Sequence, residues 1–270
     1  MMKKILVIFF VLSLNSVYGK KLDEEVLNCL YELDFTKDTL TMKMSNDLLV
    51  LQVGSKMSKC YSFYSNQVDS IFALPDGNKV AQSMFSQSLK SNSAFPQKRM
   101  KTYVYKDYPK GKMTVTDGLM MQDYIYEDEL NAQEWQMTDS TKTVLNYTCQ
   151  LAKCTFRGRE WMAWFTPEVP ISDGPWKFCG LPGLITEVYD SGNQYHFTLK
   201  GIKKGNNPII MRKSEVGNHK FIKTKRLKFL KAKKEYLRDI SGSIEMQTGI
   251  DLGAGEVQKV MRYDIIERDY

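Results

Sequence analysis

Apolar and polar residues alternate with a period of two through most of this 270-residue chain. In residues 27–35, for example, every second side chain is apolar, beginning with Leu27, Cys29 and Tyr31. Such an alternation gives a β-strand one face for a core and one face for solvent. The composition agrees, because 12% of the residues are aromatic and flat rings pack well on sheets. The pattern therefore predicts a mainly-β protein.

Turn signals divide the alternating pattern into successive strands. The predicted strands are residues 27–35, 47–53, 59–73 with a break near Asn66, 101–105, 113–116, 119–126, 146–156, 160–166, 184–189, 194–200 and 257–266. Asp117-Gly118 is expected to form a hairpin turn, because Asp-Gly between alternating runs is a strong hairpin signal. Strands joined by short turns predict one curved antiparallel sheet or an open, barrel-like sheet.

Two segments have the apolar spacing of helices instead. Residues 79–89 form the first, and residues 216–238 form the second, with Leu227, Leu230 and Leu237 on one stripe. We therefore expect an α+β arrangement with one or two helices packed on the sheet. Because no linker, repeat or low-complexity tract divides the chain, residues 20–270 are expected to form a single domain.

The first nineteen residues have the pattern of a secretory signal peptide. Lys3 and Lys4 precede the apolar run Ile5–Leu14, and Val17–Gly19 offers small-residue cleavage spacing. Ten apolar residues are too few to span a bilayer, which needs about 20. The pattern predicts export, with a mature chain that begins near Lys20 and is periplasmic, associated with the outer membrane or secreted. No transmembrane segment is expected.

Export permits disulfides, but the five cysteines do not define them. They are Cys29, Cys60, Cys149, Cys154 and Cys179, and none forms a C-x-x-C motif. On one continuous strand Cys149 and Cys154 would lie about 17 Å apart on opposite faces, which is too far for a bond. The odd number leaves at least one thiol unpaired, and the pairing stays open.

The net charge of +7 is concentrated in one segment. Residues 220–234 contain eight basic residues and no acid, whereas the rest of the chain after the predicted leader is net negative. The basic residues are Lys220, Lys223, Lys225, Arg226, Lys228, Lys231, Lys233 and Lys234. An exported protein meets little nucleic acid, so we expect no nucleic-acid partner. An anionic membrane surface would suit the lysines, and a solvated basic face on a packed helix is the other interpretation.

Residues 157–185 differ in composition from the rest of the chain. They hold four of the eight prolines and three of the four tryptophans. Proline lacks a backbone donor, so residues 166–182 are not expected to form a central strand. Their aromatic content exceeds that of a solvated loop. We expect the segment to fold back over one end of the sheet as a compact plug.

The same segment carries a resemblance. Residues 180–185 read GLPGLI, and they follow FRGR at 156–159, AWFTPE at 163–168, Pro170, GPW at 174–176 and Phe178. In order and spacing this resembles the signature of the GLPGLI family, exported proteins of Bacteroidetes. Residues 29–38, 59–65 and 263–267 are similar to the family's terminal patterns, although Asp264-Ile265 replaces a common Asn-Pro.

The resemblance implies a mainly-β fold in the cell envelope of a Gram-negative bacterium, and it implies no activity, because the family has no established one. We therefore carry over no catalytic residue and expect a structural or binding role for the signature. Its residues are Trp164, Pro167, Glu168, Pro170, Gly174, Pro175, Trp176, Gly180, Leu181, Pro182, Gly183, Leu184 and Ile185.

Candidate catalytic groups are few. The chain lacks G-x-S-x-G and S-x-x-K nucleophile motifs. His196 as a base for Cys179 is a weak pairing, and a strand histidine is the simpler interpretation. Four carboxylates lie around the signature in sequence: Glu160, Glu168, Asp173 and Glu187. A hydrolase could use a pair of them. The preferred interpretation is that they form ion pairs with Arg157, Arg159 and Lys177.

No cofactor or metal is expected. Only two histidines occur, His196 and His219, and the methionines at 42, 44, 120 and 121 suit a core better than a copper site. We expect an exported binding or structural protein rather than an enzyme, with an envelope protein or an apolar ligand between sheet and helix as partner. The alternative is a hydrolase that uses the carboxylates near the signature. The ligand, partner and oligomeric state stay open.

Overall fold

The computed structural model describes residues 20–91, 96–120, 122–214, 220–248 and 262–270. The predicted signal peptide at residues 1–19 lies outside them, as do His219 and residues 257–261 of the predicted last strand. Residues 262–266, which complete that prediction, are not in a strand. This part of the prediction is wrong, because the backbone carbonyls of residues 264–266 accept hydrogen bonds from the side chains of Arg159 and Tyr195 instead of from a neighbouring strand.

Within the described residues, thirteen strands and four helices follow the chain. The strands are β1 (Lys21–Asp38), β2 (Lys43–Gly54), β3 (Ser58–Ser62), β4 (Tyr103–Lys106), β5 (Lys112–Leu119), β6 (Gln122–Glu129), β7 (Gln136–Val144), β8 (Tyr147–Phe156), β9 (Arg159–Thr166), β10 (Leu184–Asp190), β11 (Tyr195–Lys204), β12 (Pro208–Ile210) and β13 (Ile222–Lys223). The helices are α1 (Phe63–Phe72), α2 (Gly77–Ser91), α3 (Arg226–Arg238) and α4 (Ile240–Thr248).

The strands form one large, mainly antiparallel sheet. Its order is β13-β6-β5-β4-β3-β2-β1-β11-β10-β9-β8-β7, and β12 pairs with β1 outside this order. The pairing of β13 with β6 is parallel, whereas the other pairs are antiparallel. The predicted fold class, a mainly-β structure with an open antiparallel sheet, is confirmed.

The sheet curls strongly. Eight strands separate β6 from β8, and at about 4.8 Å per strand a flat sheet would hold these two about 43 Å apart. In the structure Nη2 of Arg157, in the turn after β8, lies 2.5 Å from Oδ1 of Asp128 on β6. The two ends of the sheet therefore approach each other, and the enclosed face holds the main hydrophobic core.

The core draws on almost every strand. Alternate residues of β1 point into it, and Cys29, Tyr31 and Leu33 are almost completely buried. Alternate residues of β9 do the same through Trp161, Ala163 and Phe165, which the loop between β9 and β10 then covers. The period-two pattern of the sequence is the cause, because successive strand residues face opposite sides of a sheet.

Helix α1 replaces part of a predicted strand. Residues 59–73 were expected to be extended, but the strand ends at Ser62 and a helix follows. The hydroxyl of Ser62 accepts a hydrogen bond from the backbone N–H of Ser65 at 3.2 Å, which is an N-cap. Val68 then faces the protein one turn further on. The first predicted helix, residues 79–89, is confirmed within α2.

The prediction of a hairpin turn at Asp117-Gly118 is also wrong. Strand β5 continues through both residues, and the turn begins at Met120, whose φ is +56°. The carboxylate of Asp117 accepts a hydrogen bond from Oγ1 of Thr102 at 2.9 Å. Because Asp117 is buried and bonded on the strand, it is not available to initiate a turn.

Strand β7 was not predicted, since most of its side chains are exposed and polar.

Helix α3 is shorter than predicted and uses a different face. It begins at Arg226, and its buried residues are Phe229 and Leu230. Leu237 packs against the core, but Leu227 is 45% exposed, so the predicted leucine stripe is only partly correct. The rings of Tyr124 and Tyr126 lie 5.4 and 5.6 Å from that of Phe229, which fixes the helix on β6.

The helices number four among the described residues, more than the one or two expected. None of these helices is both long and apolar enough to cross a membrane.

All five cysteines are buried and free. Cys149 and Cys154 lie on the single strand β8, the arrangement in which they were predicted to be too far apart for a bond. Burial raises the pKa of the Cys29 thiol to about 12 and that of Cys60 to about 11. Thiols that stay protonated are poor nucleophiles, so these side chains act as small apolar groups in the core.

A second, smaller core lies on the opposite face of β3 and β4. Its members include Tyr103 and Tyr105, and Lys59 is buried beside them. The ammonium of Lys59 lies 4.6 Å from the ring centre of Tyr61 and 5.4 Å from that of Tyr103. Burial, with a contribution from Arg212, lowers the pKa of Lys59 to about 7.

We expect the buried Lys59 to make the stability depend on pH. Its pKa is about 7 when folded and near 10.5 when exposed, so between these values the unfolded chain binds more protons and stability rises with pH. Between pH 7 and pH 9 the free energy of unfolding of the wild type should rise by about 2 kcal/mol relative to Lys59→Met. Urea unfolding at both pH values measures this.

The matched control is Lys79→Met, because Lys79 is an exposed lysine on α2. It should keep the wild-type pH dependence. Parallel pH profiles for the wild type and Lys59→Met would contradict the lowered pKa.

Candidate ligand cavity and the signature loop

The loop between β9 and β10, residues 167–183, is called the signature loop here. Its prolines at 167, 170 and 182 are exposed, whereas residues 173–179 are buried. The predicted plug is therefore confirmed in position, since the loop folds back against the enclosed face of the sheet. Trp164 and Phe165 belong to β9, which confirms the strand predicted at residues 160–166.

The signature residues divide by exposure. The buried ones are Trp164, Gly174, Pro175, Trp176, Leu181, Gly183, Leu184 and Ile185, and the exposed ones are Pro167, Glu168, Pro170, Gly180 and Pro182. Gly180 has a φ of +93°, which favours glycine. A Cβ on Gly183 would lie 2.1 Å from the carbonyl oxygen of Thr166. The hexapeptide at 180–185 thus returns the chain to β10 by a path that requires its glycines.

Aromatic rings join the loop to the sheet. The ring centre of Phe178 lies 4.7 Å from that of Trp161 and 5.8 Å from that of Phe197. Trp176 lies 5.2 Å from Phe178 and 5.9 Å from Phe156. Pairs of this kind contribute about 0.5–1.5 kcal/mol each beyond the area that they bury. The loop is therefore part of the core.

The side chain of Lys106 on β4 binds the backbone of the signature loop. Its buried ammonium donates to the carbonyl oxygens of Gly174 at 2.6 Å and Phe178 at 2.9 Å. It also forms an ion pair with the carboxylate of Asp173. One side chain thus binds three acceptors of the signature loop.

Lys177 lies at the centre of a second, larger ion-pair cluster. Its side chain is completely buried, and its ammonium lies 2.7 Å from Oδ2 of Asp128 and 2.5 Å from Oε1 of Glu267. Arg157 bonds to Asp128, and Nη1 of Arg226 lies 2.8 Å from Oε2 of Glu267. The cluster joins the loop, β6, the turn after β8, α3 and the C-terminal tail at 262–270.

The cluster keeps its charges. Burial alone would lower the pKa of Lys177, but Tyr126, Glu267 and Asp128 raise it above its usual value. Burial likewise opposes ionisation of Asp128, yet Lys177 and Arg157 lower the pKa of that carboxyl. Each buried charge is therefore stabilised only while its partners stay in place.

The predicted ion pairs around the signature are wrong in their partners. Asp173 binds Lys106, and Glu187 binds Lys142 and His196. Glu168 accepts a hydrogen bond from the backbone N–H of Thr148 at 2.7 Å.

The basic residues of the prediction use acids that are remote in sequence. Arg159, for example, pairs with Asp190 and Asp264. Proximity in sequence misled the prediction, because the loop carries its lysine to strands from other parts of the sheet.

His196 and Cys179, considered above as a base and a nucleophile, each contact other residues. Nε2 of His196 is 2.8 Å from Oε1 of Glu187. The thiol of Cys179 instead contacts Oδ1 of Asn131 at 3.3 Å, and burial raises its pKa. Within the described ranges no three His, Cys, Asp or Glu side chains are grouped to hold a metal ion. Met42 and Met44 are exposed, and Met121 lies outside the described residues.

A cavity of about 310 Å³ lies between the sheet, α3 and the C-terminal tail. Leu33 and Phe35 of β1 and Leu119 of β5 line one wall, and Tyr236 and Leu237 of α3 line another. Trp176 of the signature loop and Ile265 and Ile266 of the tail contribute further apolar surface. The polar lining residues include Arg99, Lys101, Thr102, Asp117, Lys233 and Asp264. No motif predicted this cavity, since its walls come from distant parts of the chain.

Only some of the residues of the predicted basic surface are exposed to solvent. Arg226 belongs to the buried cluster, and Lys233 lies 2.8 Å from Oδ2 of Asp117. The ammonium of Lys234 lies 5.0 Å from the ring centre of Tyr270. The exposed lysines of the predicted set are Lys220, Lys223, Lys225, Lys228, Lys231 and Lys234.

Comparison with known proteins finds a family model that matches part of the chain. A family model described as "Protein of unknown function (Porph_ging)" matches residues 156–187, which contain the hexapeptide. This family is associated with Bacteroidetes, and the match is consistent with the GLPGLI resemblance. No curated protein matches the sequence.

Two solved structures of PNGF-II, in the P21 and C2 space groups, are similar to the chain with TM-scores of 0.49 and 0.48 at 12% identity. They match 77% of this chain, which spans 33% and 32% of theirs.

We expect Lys177→Met to destabilise the protein strongly. Removing one partner of a buried ion pair leaves uncompensated charge and costs about 3–5 kcal/mol, and here Asp128 and Glu267 would both lose a contact. Lys200→Met is the control, because Lys200 and Glu32 form an exposed pair, whose loss costs about 0–1 kcal/mol. Urea unfolding of both variants measures the difference. A loss below about 1 kcal/mol for Lys177→Met would show that the cluster does not stabilise the fold.

Proposed function

We propose that this protein is an exported cell-envelope binding protein whose residues 20–270 form one domain, and that it holds an apolar ligand between its sheet and helix α3. The observation that carries the proposal is the cavity of about 310 Å³ at that position. Ligand sites are usually concave and largely apolar, with a few polar groups, and begin at about 300 Å³. The export part of the proposal rests on the leader pattern in residues 1–19.

The walls of the cavity support a binding role because they are held rigidly. Trp176 is fixed by the ring contacts of the signature loop. The tail is fixed by Glu267 in the buried cluster, and α3 by Arg226 in the same cluster. A preformed cavity binds its ligand without the cost of ordering its own residues.

The carboxylates near the signature favour binding over hydrolysis. Asp173 and Glu187 are engaged in ion pairs with lysines, and Glu168 is bonded to backbone. These contacts give each carboxylate a structural role. A hydrolase pair drawn from these three would require both carboxylates to release their partners.

The binding proposal predicts that an uncharged apolar dye enters the cavity. N-phenyl-1-naphthylamine should bind the folded protein with increased fluorescence. Leu237→Gln should weaken its binding by about tenfold or more, because a polar group on the cavity wall would be desolvated by the dye. Fluorescence titration measures the affinity, and circular dichroism checks that the variant folds.

Leu227→Gln is the matched control, since Leu227 lies on the same helix but faces solvent. It should bind the dye as the wild type does. No binding by the wild type, or equal losses in the two variants, would overturn the proposed site.

We also propose that the exposed lysines on α3 and at its N-cap rest against an anionic membrane surface. Lys225, Lys228 and Lys231 are exposed, whereas the apolar side of the helix faces the sheet. Each lysine near an anionic surface contributes about 1 kcal/mol. The helix therefore presents charge outward while its core side stays bound.

Replacing Lys225, Lys228 and Lys231 together with Gln should weaken binding to phosphatidylglycerol vesicles by about 100-fold at low salt. Co-sedimentation with the vesicles measures the partitioning. The control replaces three exposed lysines elsewhere, Lys79, Lys90 and Lys110, which gives the same change in net charge. If both triple variants partition alike, the helix is a solvated face and has no specific role at membranes.

A further inference from the structure

A second cavity adjoins the apolar one. It has a volume of about 280 Å³ and shares Lys101, Gly118 and Met120 with its neighbour. Its other walls are more polar, because they include Asp69, Asp123 and Arg212. A ligand that extends from the first cavity towards the second would thus pass from an apolar chamber to a polar one, with Lys101 at the boundary.

Most of the charges around this boundary already have partners. Nη2 of Arg212 lies 2.6 Å from Oδ2 of Asp123, and Lys98 forms an ion pair with Asp69. On the other side, Lys233 is paired with Asp117. These pairs neutralise one another, so they offer little net attraction to a ligand.

Arg99 is engaged in the same way. Its Nη1 donates to the carbonyl oxygen of Asn46 at 2.8 Å, and its guanidinium lies 3.8 Å from the ring centre of Tyr64. The side chain is thereby directed towards β2 and α1.

Lys101 differs from these residues. Among the hydrogen bonds and ion pairs of the described ranges, none involves its ammonium. Its stem runs close over the backbone of Gly118, where a Cβ would lie 3.0 Å from Cδ of Lys101. The glycine therefore leaves room for the lysine to lie along the boundary between the cavities.

We propose that the ligand is a single-chain amphiphile with one negative charge, a fatty carboxylate, whose chain occupies the apolar cavity and whose carboxylate binds the ammonium of Lys101. This inference rests on the proposed function. One cation without a partner matches one negative charge. Asp117 and Asp123 line the two cavities and repel a doubly charged head, such as a phosphate monoester, more strongly than a single charge, which disfavours it.

The test compares decanoate with 1-decanol, which has the same chain and no charge. By isothermal titration calorimetry the wild type should bind decanoate at least tenfold more tightly, because a hydrogen bond to a charged group contributes about 1.5–3 kcal/mol. Lys101→Met should reduce decanoate affinity to the level of decanol and leave decanol affinity unchanged. Lys101→Arg should retain the preference for decanoate, and the exposed-loop control Lys110→Met should behave as the wild type does.

The outcomes separate the two proposals. If the wild type binds both probes equally, or if Lys101→Met keeps the preference for decanoate, the charge recognition at Lys101 is wrong while the apolar site stands. If the wild type binds neither decanoate nor 1-decanol nor the naphthylamine dye, the proposed apolar site itself is wrong. Tighter binding of decyl phosphate than of decanoate would assign the site to a phosphate head and overturn the carboxylate.

Discussion

The structure depends on one completely buried ammonium, that of Lys177. Moving a charge out of water costs several kcal/mol, and the cost is offset only by partners in good geometry. Those partners come from β6 and from the C-terminal tail, and they are themselves held by arginines from the β8–β9 turn and α3. Each of these elements is therefore stabilised in its position only when the others are also in place, so they are expected to fold cooperatively.

The signature loop contributes packing where the sheet alone could not. A sheet that curls this far encloses a wide space, and the rings of Trp176 and Phe178 fill a large part of it. The part that they leave unfilled, next to α3 and the tail, is the apolar cavity. The prolines, glycines and aromatic residues of the signature thus have a common physical explanation, because together they shape the space in which a ligand could lie.

Much of the sheet was predictable because its signal is local. A period of two along β1, β8 or β9 directly records which side chains face the core. Helix α1 was missed because its first turn continues the alternation of β3, and the N-cap at Ser62 decides between the two. The loop's role as a plug was predictable for a related reason, since prolines exclude a central strand and tryptophans exclude a solvated loop.

The site could not be predicted to the same extent, because it is assembled across the sequence. Lys177 meets Asp128 across 49 residues and Glu267 across 90, and no spacing rule connects them. The acids nearest to the signature in sequence proved to have other partners. The cavity has the same character, since β1, β5, α3 and the tail meet there only after the sheet has curled.

The position of Glu267 also orders the events of folding. Ninety residues separate it from Lys177, yet its carboxylate contacts the charge at the centre of the molecule. A chain that is still being delivered from its N-terminus lacks this carboxylate until residue 267 has followed, so Lys177 cannot be buried at low cost before then. In the export that we propose, this dependence delays compaction around Lys177 until the segment that carries Glu267 has been transported.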